Sequence, residues 1–244
     1  MKTAIITGGS SEIGQETAKE FAIRDYNVVL TYCENKEKTE QIAKELSDIY
    51  QKEIMATFCD LRKEESIKNL VKDVKEKYRT IDVLVNNAAV CYDRLYQEKN
   101  KEEFMETLEV NVVGTFLISK LVGEEMYQNK RGNIINLSST NGLTQYYPMS
   151  LDYDASKAAL VSLTNNLAVA YSPYIRVNAV APGWIATEKE MRELDQEYIE
   201  SEQDKIFMQR FGKAEEVAKT IYFLASDEAS YINNNVIKVD GGMR

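Results

Sequence analysis

Ala4-Ile5-Ile6-Thr7-Gly8-Gly9-Ser10-Ser11-Glu12-Ile13-Gly14 is an apolar run, a turn of small residues and the opening of a helix. From Glu12 to Arg24 the helical spacing puts Ile13, Ala18, Phe21 and Ala22 on one side. A buried strand therefore turns tightly into an amphipathic helix. Small residues at such a turn let the backbone approach a pyrophosphate, and the helix N-terminus offers N–H donors and a favourable dipole.

Working outward, apolar β runs alternate with helical patterns to the end of the chain. Strands are expected at 28–30, 54–58, 81–85, 133–137, 175–180 and 236–239. Helices are expected over about 36–50, 60–77 with Asp60 as cap, 102–127 without interruption, 153–171 and 214–225. This order predicts an α/β fold: a Rossmann-like, doubly wound parallel sheet of about seven strands with helices on both faces. Ligands of such sheets bind at the carboxyl ends of the strands. No Pro/Gly/Ser-rich linker or internal repeat divides residues 1–244, so a single domain is expected.

Composition removes several classes of function. Thirty Lys and Arg against 39 Asp and Glu give a net charge of -9 without a basic stripe, which argues against nucleic acid as a partner. Cys33, Cys59 and Cys91 are odd in number and widely spaced, as expected of reduced thiols in a cytoplasmic protein. No segment has the length of a membrane span, and the apolar start stops at Thr7 before an export signal forms. Histidine is absent, so Ser-His-Asp hydrolysis, His-based zinc sites and imidazole catalysis are excluded. No metal is expected. Tyr, Lys, Ser, Asn or carboxylates must carry any chemistry.

Tyr153 and Lys157 stand four apart in Tyr-Asp-Ala-Ser-Lys, which on a helix places them on one face. An ammonium beneath a phenol lowers its pKa and makes it a usable proton donor and acceptor. Tyr32 and Lys36 share that spacing, so order along the chain decides the reading.

That order resembles the short-chain dehydrogenase/reductase family, in its compact single-domain branch, over nearly the full length. The family opens with Thr-Gly-x-x-x-Gly-x-Gly; here Glu12 replaces the middle glycine, beside the expected pyrophosphate contacts Gly8, Ser10, Ser11, Ile13 and Gly14. The resemblance implies that Asp60 and Leu61 hold adenine, that Asn87 and Ala88 of Asn86-Asn87-Ala88-Ala89 wall the cofactor, and that Tyr32 ends the second strand at the ribose. It implies a catalytic set of Asn111, Ser139, Tyr153 and Lys157, of which Tyr153 and Lys157 also bind the cofactor, the lysine through the nicotinamide ribose. Ser139 lies 14 positions before Tyr153, one more than in many relatives, which leaves Ser138 as the alternative hydroxyl. Pro182, Gly183, Ile185 and Thr187 match the segment that holds the nicotinamide carboxamide. Residues of about 188–210 match a substrate lid, with Met191, Leu194, Tyr198 and Ile199 as its inward apolar side.

The implied activity is NAD(P)(H)-dependent hydride transfer between nicotinamide and a carbonyl or secondary alcohol. The likeness leans to 3-oxoacyl-acyl-carrier-protein reductases, with acyl carrier protein as partner and Lys130-Arg131 as its docking patch; reductases of small ketones, sugars, steroids or pteridines are the alternative. A catalytically silent nucleotide-sensing or scaffold protein is the reading of another class. NADP(H) is favoured over NAD(H), because Tyr32 replaces the acidic residue that binds the ribose hydroxyls in NAD enzymes. Against it, Ser11 stands where NADP enzymes often carry a basic residue, and Glu34 lies near the 2′-phosphate site. A homotetramer is expected from the apolar content of the two long helices.

Overall fold

Strand β1 (Lys2–Ile6) runs through the middle of the sheet, because its alternate side chains are apolar on both faces. The computed structural model describes residues 1–243 and shows seven strands in the order β3-β2-β1-β4-β5-β6-β7, every pair parallel. The others are β2 (Tyr26–Tyr32), β3 (Ile54–Phe58), β4 (Val83–Asn86), β5 (Gly132–Leu137), β6 (Ile175–Pro182) and β7 (Val236–Val239). The Rossmann-like doubly wound sheet is thus present with its seven strands. The chain moves outward from β1 to β3 and then returns to β4, so the strand order reverses between β1 and β4. A crevice opens at such a reversal, beyond the strands' carboxyl ends.

Two apolar cores follow from the pleat. Ala4 and Ile6 point to the face covered by α1 (Glu12–Ile23), α2 (Lys36–Tyr50) and α9 (Ala214–Ala225), where Phe21, Ile42 and Ile221 pack. Ile5 points to the other, covered by α3 (Glu64–Tyr78), α5 (Thr115–Gln128) and α6 (Leu151–Tyr171) through Ile67, Ile118 and Leu167. Each such side chain stabilises by ~1.5–3 kcal/mol when fully buried.

The helix expected over 102–127 is interrupted. α4 (Lys101–Leu108) passes through a π turn at Glu109–Gly114 before α5 begins. The extra residue of a π turn re-aims one side chain, here Asn111, which is buried against Val90 and Ser156. Asp60 is also not the cap of α3: that helix starts at Glu64 after Lys63, because the Asp60 carboxylate is taken by Arg62.

Beyond β6 the chain forms α7 (Glu188–Glu193) and α8 (Gln196–Gln203), held by a small cluster of Ile199, Ile206, Phe211 and Met243. Leu194 packs against that cluster. Met191, expected on the inward side, is instead exposed. Among the described residues no helix is long and apolar enough to cross a membrane.

Candidate active site

The turn between β1 and α1 is built before any ligand meets it. Gly8 has φ +68°, a left-handed backbone that a side chain would strain. Ser11 caps α1, accepting from the Gly14 N–H at 3.1 Å and donating to the Gly8 carbonyl at 3.1 Å. Asn87, one residue past β4, donates from Nδ2 to the carbonyls of Thr7 at 2.8 Å and Gly8 at 3.0 Å. Its backbone N–H donates to Thr7 Oγ1 at 3.0 Å. The neighbouring strand therefore locks the turn's shape.

Glu12 does not point at the turn. Its Oε1 accepts from the Glu188 N–H at 2.5 Å, where α7 begins. A carboxylate on a free N–H at a helix start is a favoured contact, so the residue that departs from the family's glycine joins the first turn to the expected lid.

A cleft of about 670 Å³ runs from this turn past Tyr32, Asp60, Leu61 and Ala88. Asp60 receives Arg62 Nε on Oδ1 at 2.9 Å and Arg62 Nη2 on Oδ2 at 3.2 Å, and those hydrogen bonds hold its carboxyl below the usual range. Arg62 also donates to Glu106 Oε1 at 3.0 Å and lies 3.7 Å from Cys33 Sγ, just past the end of β2. Sequence reasoning missed Arg62. Nothing but its place directly after Asp60-Leu61 marks it.

A second cleft of about 650 Å³ continues from the first, and both share Ile13, Asn87, Ala89, Cys91, Tyr153 and Glu190. β5 ends at its floor and delivers two serines in opposite directions, as successive residues of an extended chain must be. Ser138 is buried and donates from Oγ to the Lys157 carbonyl at 2.8 Å. Ser139 faces the cleft, hydrogen-bonded to the Tyr153 phenol, and its Oγ accepts from the Asn141 N–H at 3.2 Å. The turn that follows packs directly on α6: a side chain at Gly142 would lie 2.5 Å from the Lys157 carbonyl carbon.

Tyr153 and Lys157 stand one turn apart on α6. The Lys157 ammonium is buried 5.1 Å from the centre of the Tyr153 ring and donates to the Leu137 carbonyl at 2.6 Å. Burial lowers its pKa to about 8. The tyrosine does not show the lowered pKa its spacing suggested. Burial raises the phenol above its ordinary value, and the hydrogen bond from Ser139 only partly opposes this.

Asn111, assigned to the catalytic set, is outside both clefts. Its side chain accepts from the Val90 N–H at 2.8 Å and donates to the Val90 carbonyl at 2.9 Å and to Ser156 Oγ at 3.0 Å, which ties the loop after β4 to α6. Gly14 also lies outside; every other expected site residue lines one cleft or the other, including Ser10, Pro182, Gly183, Ile185 and Thr187.

The outer wall of the second cleft is aromatic and acidic. Trp184 stacks on Phe211 with ring centres 5.5 Å apart and meets Tyr147 and Tyr198 edge-on. Asp93, Glu190, Glu193 and Asp195 line the same wall, whereas Lys157 is the one cation among the described lining residues. Among the described residues no group of three or more His, Cys, Asp or Glu forms a metal-binding cluster.

A family model described as Enoyl-(Acyl carrier protein) reductase matches residues 8–244. The chain is 36% identical over 245 residues to glucose 1-dehydrogenase 2 of Bacillus subtilis, covering 99% of this chain and 94% of that one. It is 37% identical over 243 residues to a 3-oxoacyl-(acyl-carrier-protein) reductase of Thermotoga maritima, covering 99% and 97%. Levodione reductase, a solved crystal structure, superposes with a TM-score of 0.90 at 30% identity over 98% of this chain and 96% of that one.

Proposed function

The chain belongs to the short-chain dehydrogenase/reductase family and is an NAD(P)-dependent oxidoreductase, and on that premise we propose that Tyr153, Ser139 and Lys157 reduce a carbonyl reversibly to a secondary alcohol. The observation that carries this reading is the meeting of Ser139 with the Tyr153 phenol above a buried Lys157, at the carboxyl end of β5.

NAD(P)(H) fits the joined clefts, whose glycine turn is preformed and whose inner end reaches Tyr153. Gly8, Ser11 and Ile13 would hold its pyrophosphate, Leu61 and Ala88 its adenosine, and Ile185 and Thr187 its carboxamide. When bound, the nicotinamide supplies or accepts the hydride. Tyr153 gives its phenolic proton to the carbonyl oxygen, and Ser139 donates a hydrogen bond to that oxygen. The raised pKa of Tyr153 keeps it in the acid form at neutral pH, which suits the reductive direction. Lys157 supplies positive charge beneath the ring, and Asn111 holds the loop that faces it. The α7–α8 segment would cover the substrate. Following cofactor absorbance over a panel of ketones, sugars and 3-oxoacyl thioesters tests this; no turnover of any of them with either cofactor would refute it.

A 3-oxoacyl thioester is the first substrate class to test, because of the similarity to the Thermotoga maritima enzyme. The acidic wall favours a second reading, a small uncharged carbonyl or polyol, since the acidic acyl carrier protein would meet Asp93, Glu190, Glu193 and Asp195. Similarity to the Bacillus subtilis glucose dehydrogenase accords with it. If the carrier docks against this wall, raising salt should speed its reaction, whereas docking on Lys130-Arg131 would make salt slow it; if the wall admits only small carbonyls, the thioester will show no turnover at any ionic strength.

For the cofactor, Arg62 supplies a cation in the cleft, while Glu34 and Glu106 line the same cleft and stand against a phosphate. We expect NADPH to bind more tightly than NADH, through Arg62. Fluorescence titration decides the point. An NADH dissociation constant tenfold below that of NADPH would overturn the preference and assign Glu34 to the ribose hydroxyls.

The proposed assembly is a homotetramer. Met105, Val113, Phe116 and Val169 are exposed on α4, the π turn, α5 and α6, helices that pack on one another and so leave apolar side chains for a second copy. Light scattering should give four times the 27.9 kDa chain mass; a stable monomer at micromolar concentration would count against it.

A further inference from the structure

Tyr153 lies between two aspartates that reach in opposite directions. Asp154 accepts from Asn141 Nδ2 at 2.7 Å, Ser150 Oγ at 3.1 Å and the Tyr147 N–H at 3.0 Å, so it ties α6 to the turn that carries Ser139. Asp152 is fully buried and forms an ion pair with Lys99, whose side chain is 6% exposed. Lys99 also donates to the Tyr92 carbonyl, and Thr107 Oγ1 donates to the other Asp152 oxygen at 2.7 Å. Three separate pieces of chain thus meet at Asp152: the loop after β4, α4 and the first turn of α6.

The fold gains little from this arrangement as such. Taking a carboxylate and an ammonium out of water costs several kcal/mol per ion, and an apolar pair of the same volume commonly holds a fold equally well. A buried pair does fix geometry. The first turn of α6 is held by side chains more than by its cap: Ser150 makes no side-chain capping hydrogen bond, Asp154 tethers the turn on one side, and Tyr153, the third residue of the helix, relies on Asp152 for the other. First turns without such bonds fray. Hydride transfer tolerates little fraying, since a misplacement of about 1 Å costs on the order of 10²-fold in rate.

We propose that Lys99 and Asp152 are positioning residues for Tyr153: their buried pair, braced by Thr107, holds the first turn of α6 and the loop facing it at the spacing that proton transfer requires. The inference rests on the hydride-transfer reading of Tyr153. It predicts that the pair can be neutralised without loss of the fold but not without loss of turnover.

The test compares wild type with Lys99→Met/Asp152→Asn, which removes both charges while keeping their volumes. The readouts are NADPH and NADH binding stoichiometry, kcat per cofactor-binding site with the best carbonyl of the panel, KM, and deuterium uptake. The double variant should bind cofactor fully, lose at least fivefold in kcat per site with KM within threefold, and take up deuterium faster over residues 146–158 than wild type. A kcat per site within fivefold of wild type would overturn the proposal. If the double variant binds no cofactor, Thr107→Val, which removes one hydroxyl, is judged by the same fivefold criterion. Should wild type turn over no carbonyl, the failure belongs to the hydride-transfer reading. Deuterium uptake then decides alone, and unchanged uptake over 146–158 sinks the positioning role.

Discussion

Tyr153→Phe is expected to lower kcat by about 10²–10⁴-fold, the usual contribution of a positioned general acid, while leaving cofactor affinity within about threefold, less than 1 kcal/mol of binding free energy. The change removes one oxygen and keeps the ring. Lys157 survives it in place, because its hydrogen bond goes to the Leu137 carbonyl at 2.6 Å and not to the phenol. Ser139 keeps its contact with the Asn141 N–H. Steady-state kinetics with a fluorescence titration of the cofactor separate the two effects. A variant with near wild-type kcat would remove Tyr153 from the mechanism. The pH profile of wild type adds a sign: Tyr153 must be protonated to reduce a carbonyl, and burial raises its pKa above the ordinary tyrosine value. Reductive turnover should therefore show no loss from this group up to about pH 10, the unperturbed value, and oxidation of the alcohol should quicken as pH rises. A reductive rate that falls with a midpoint near 7 would mean that another group is the acid.

Lys157→Met should abolish measurable turnover, with a loss of at least about 10²-fold, and weaken cofactor binding about tenfold, some 1.4 kcal/mol. The same variant should melt no lower than wild type at pH 7. Burial lowers the Lys157 pKa from 10.5 to about 8, so its charged form weighs against the fold by on the order of 3 kcal/mol. Removing the ammonium relieves that cost and leaves the Leu137 carbonyl without its donor, a loss of roughly 1–3 kcal/mol. The linkage has a definite direction. Between pH 8 and 10.5 the unfolded chain binds more protons at this lysine than the folded one, so its contribution makes wild type more stable as pH rises through that window. Thermal melts of the two proteins should show wild type gaining on the variant through the window and standing above it by pH 10.5, where the cost of the buried charge is gone and the bond to the Leu137 carbonyl remains. A variant that melts well below wild type at pH 7 would show that Lys157 is needed by the fold itself.

The strand and helix order was legible because each element carries its own periodicity; the last helix, Ala214–Ala225, and the last strand, Val236–Val239, begin and end where expected. The π turn at Glu109–Gly114 was not, since the apolar spacing runs on through it and only the contact of Asn111 with Val90 betrays it. Tyr153, Lys157 and the glycine turn could be named from spacing and order. The pKa of Tyr153 could not, because spacing gives a neighbour but not the burial that outweighs it. Ser138 and Ser139 were separable only in three dimensions, where an extended strand end sends one hydroxyl to the Lys157 carbonyl and the other to the phenol. The bond of Arg62 to Glu106 and the Lys99–Asp152 pair join residues far apart in the chain, and a single sequence carries no sign of such meetings; Glu190, Glu193 and Asp195 stand together in the sequence, but only the fold shows that they face the cleft beside Asp93.

Lys157 bears on history as well as on chemistry. An ammonium buried at a cost to the fold is a residue that drift should erase once nothing selects for it, since many single substitutions would leave the fold as sound or sounder. Had this lineage retired from catalysis to become a scaffold, position 157 is where the first trace would be looked for. A lysine stands there, at a site an apolar side chain would hold as well, and that weighs against the scaffold reading.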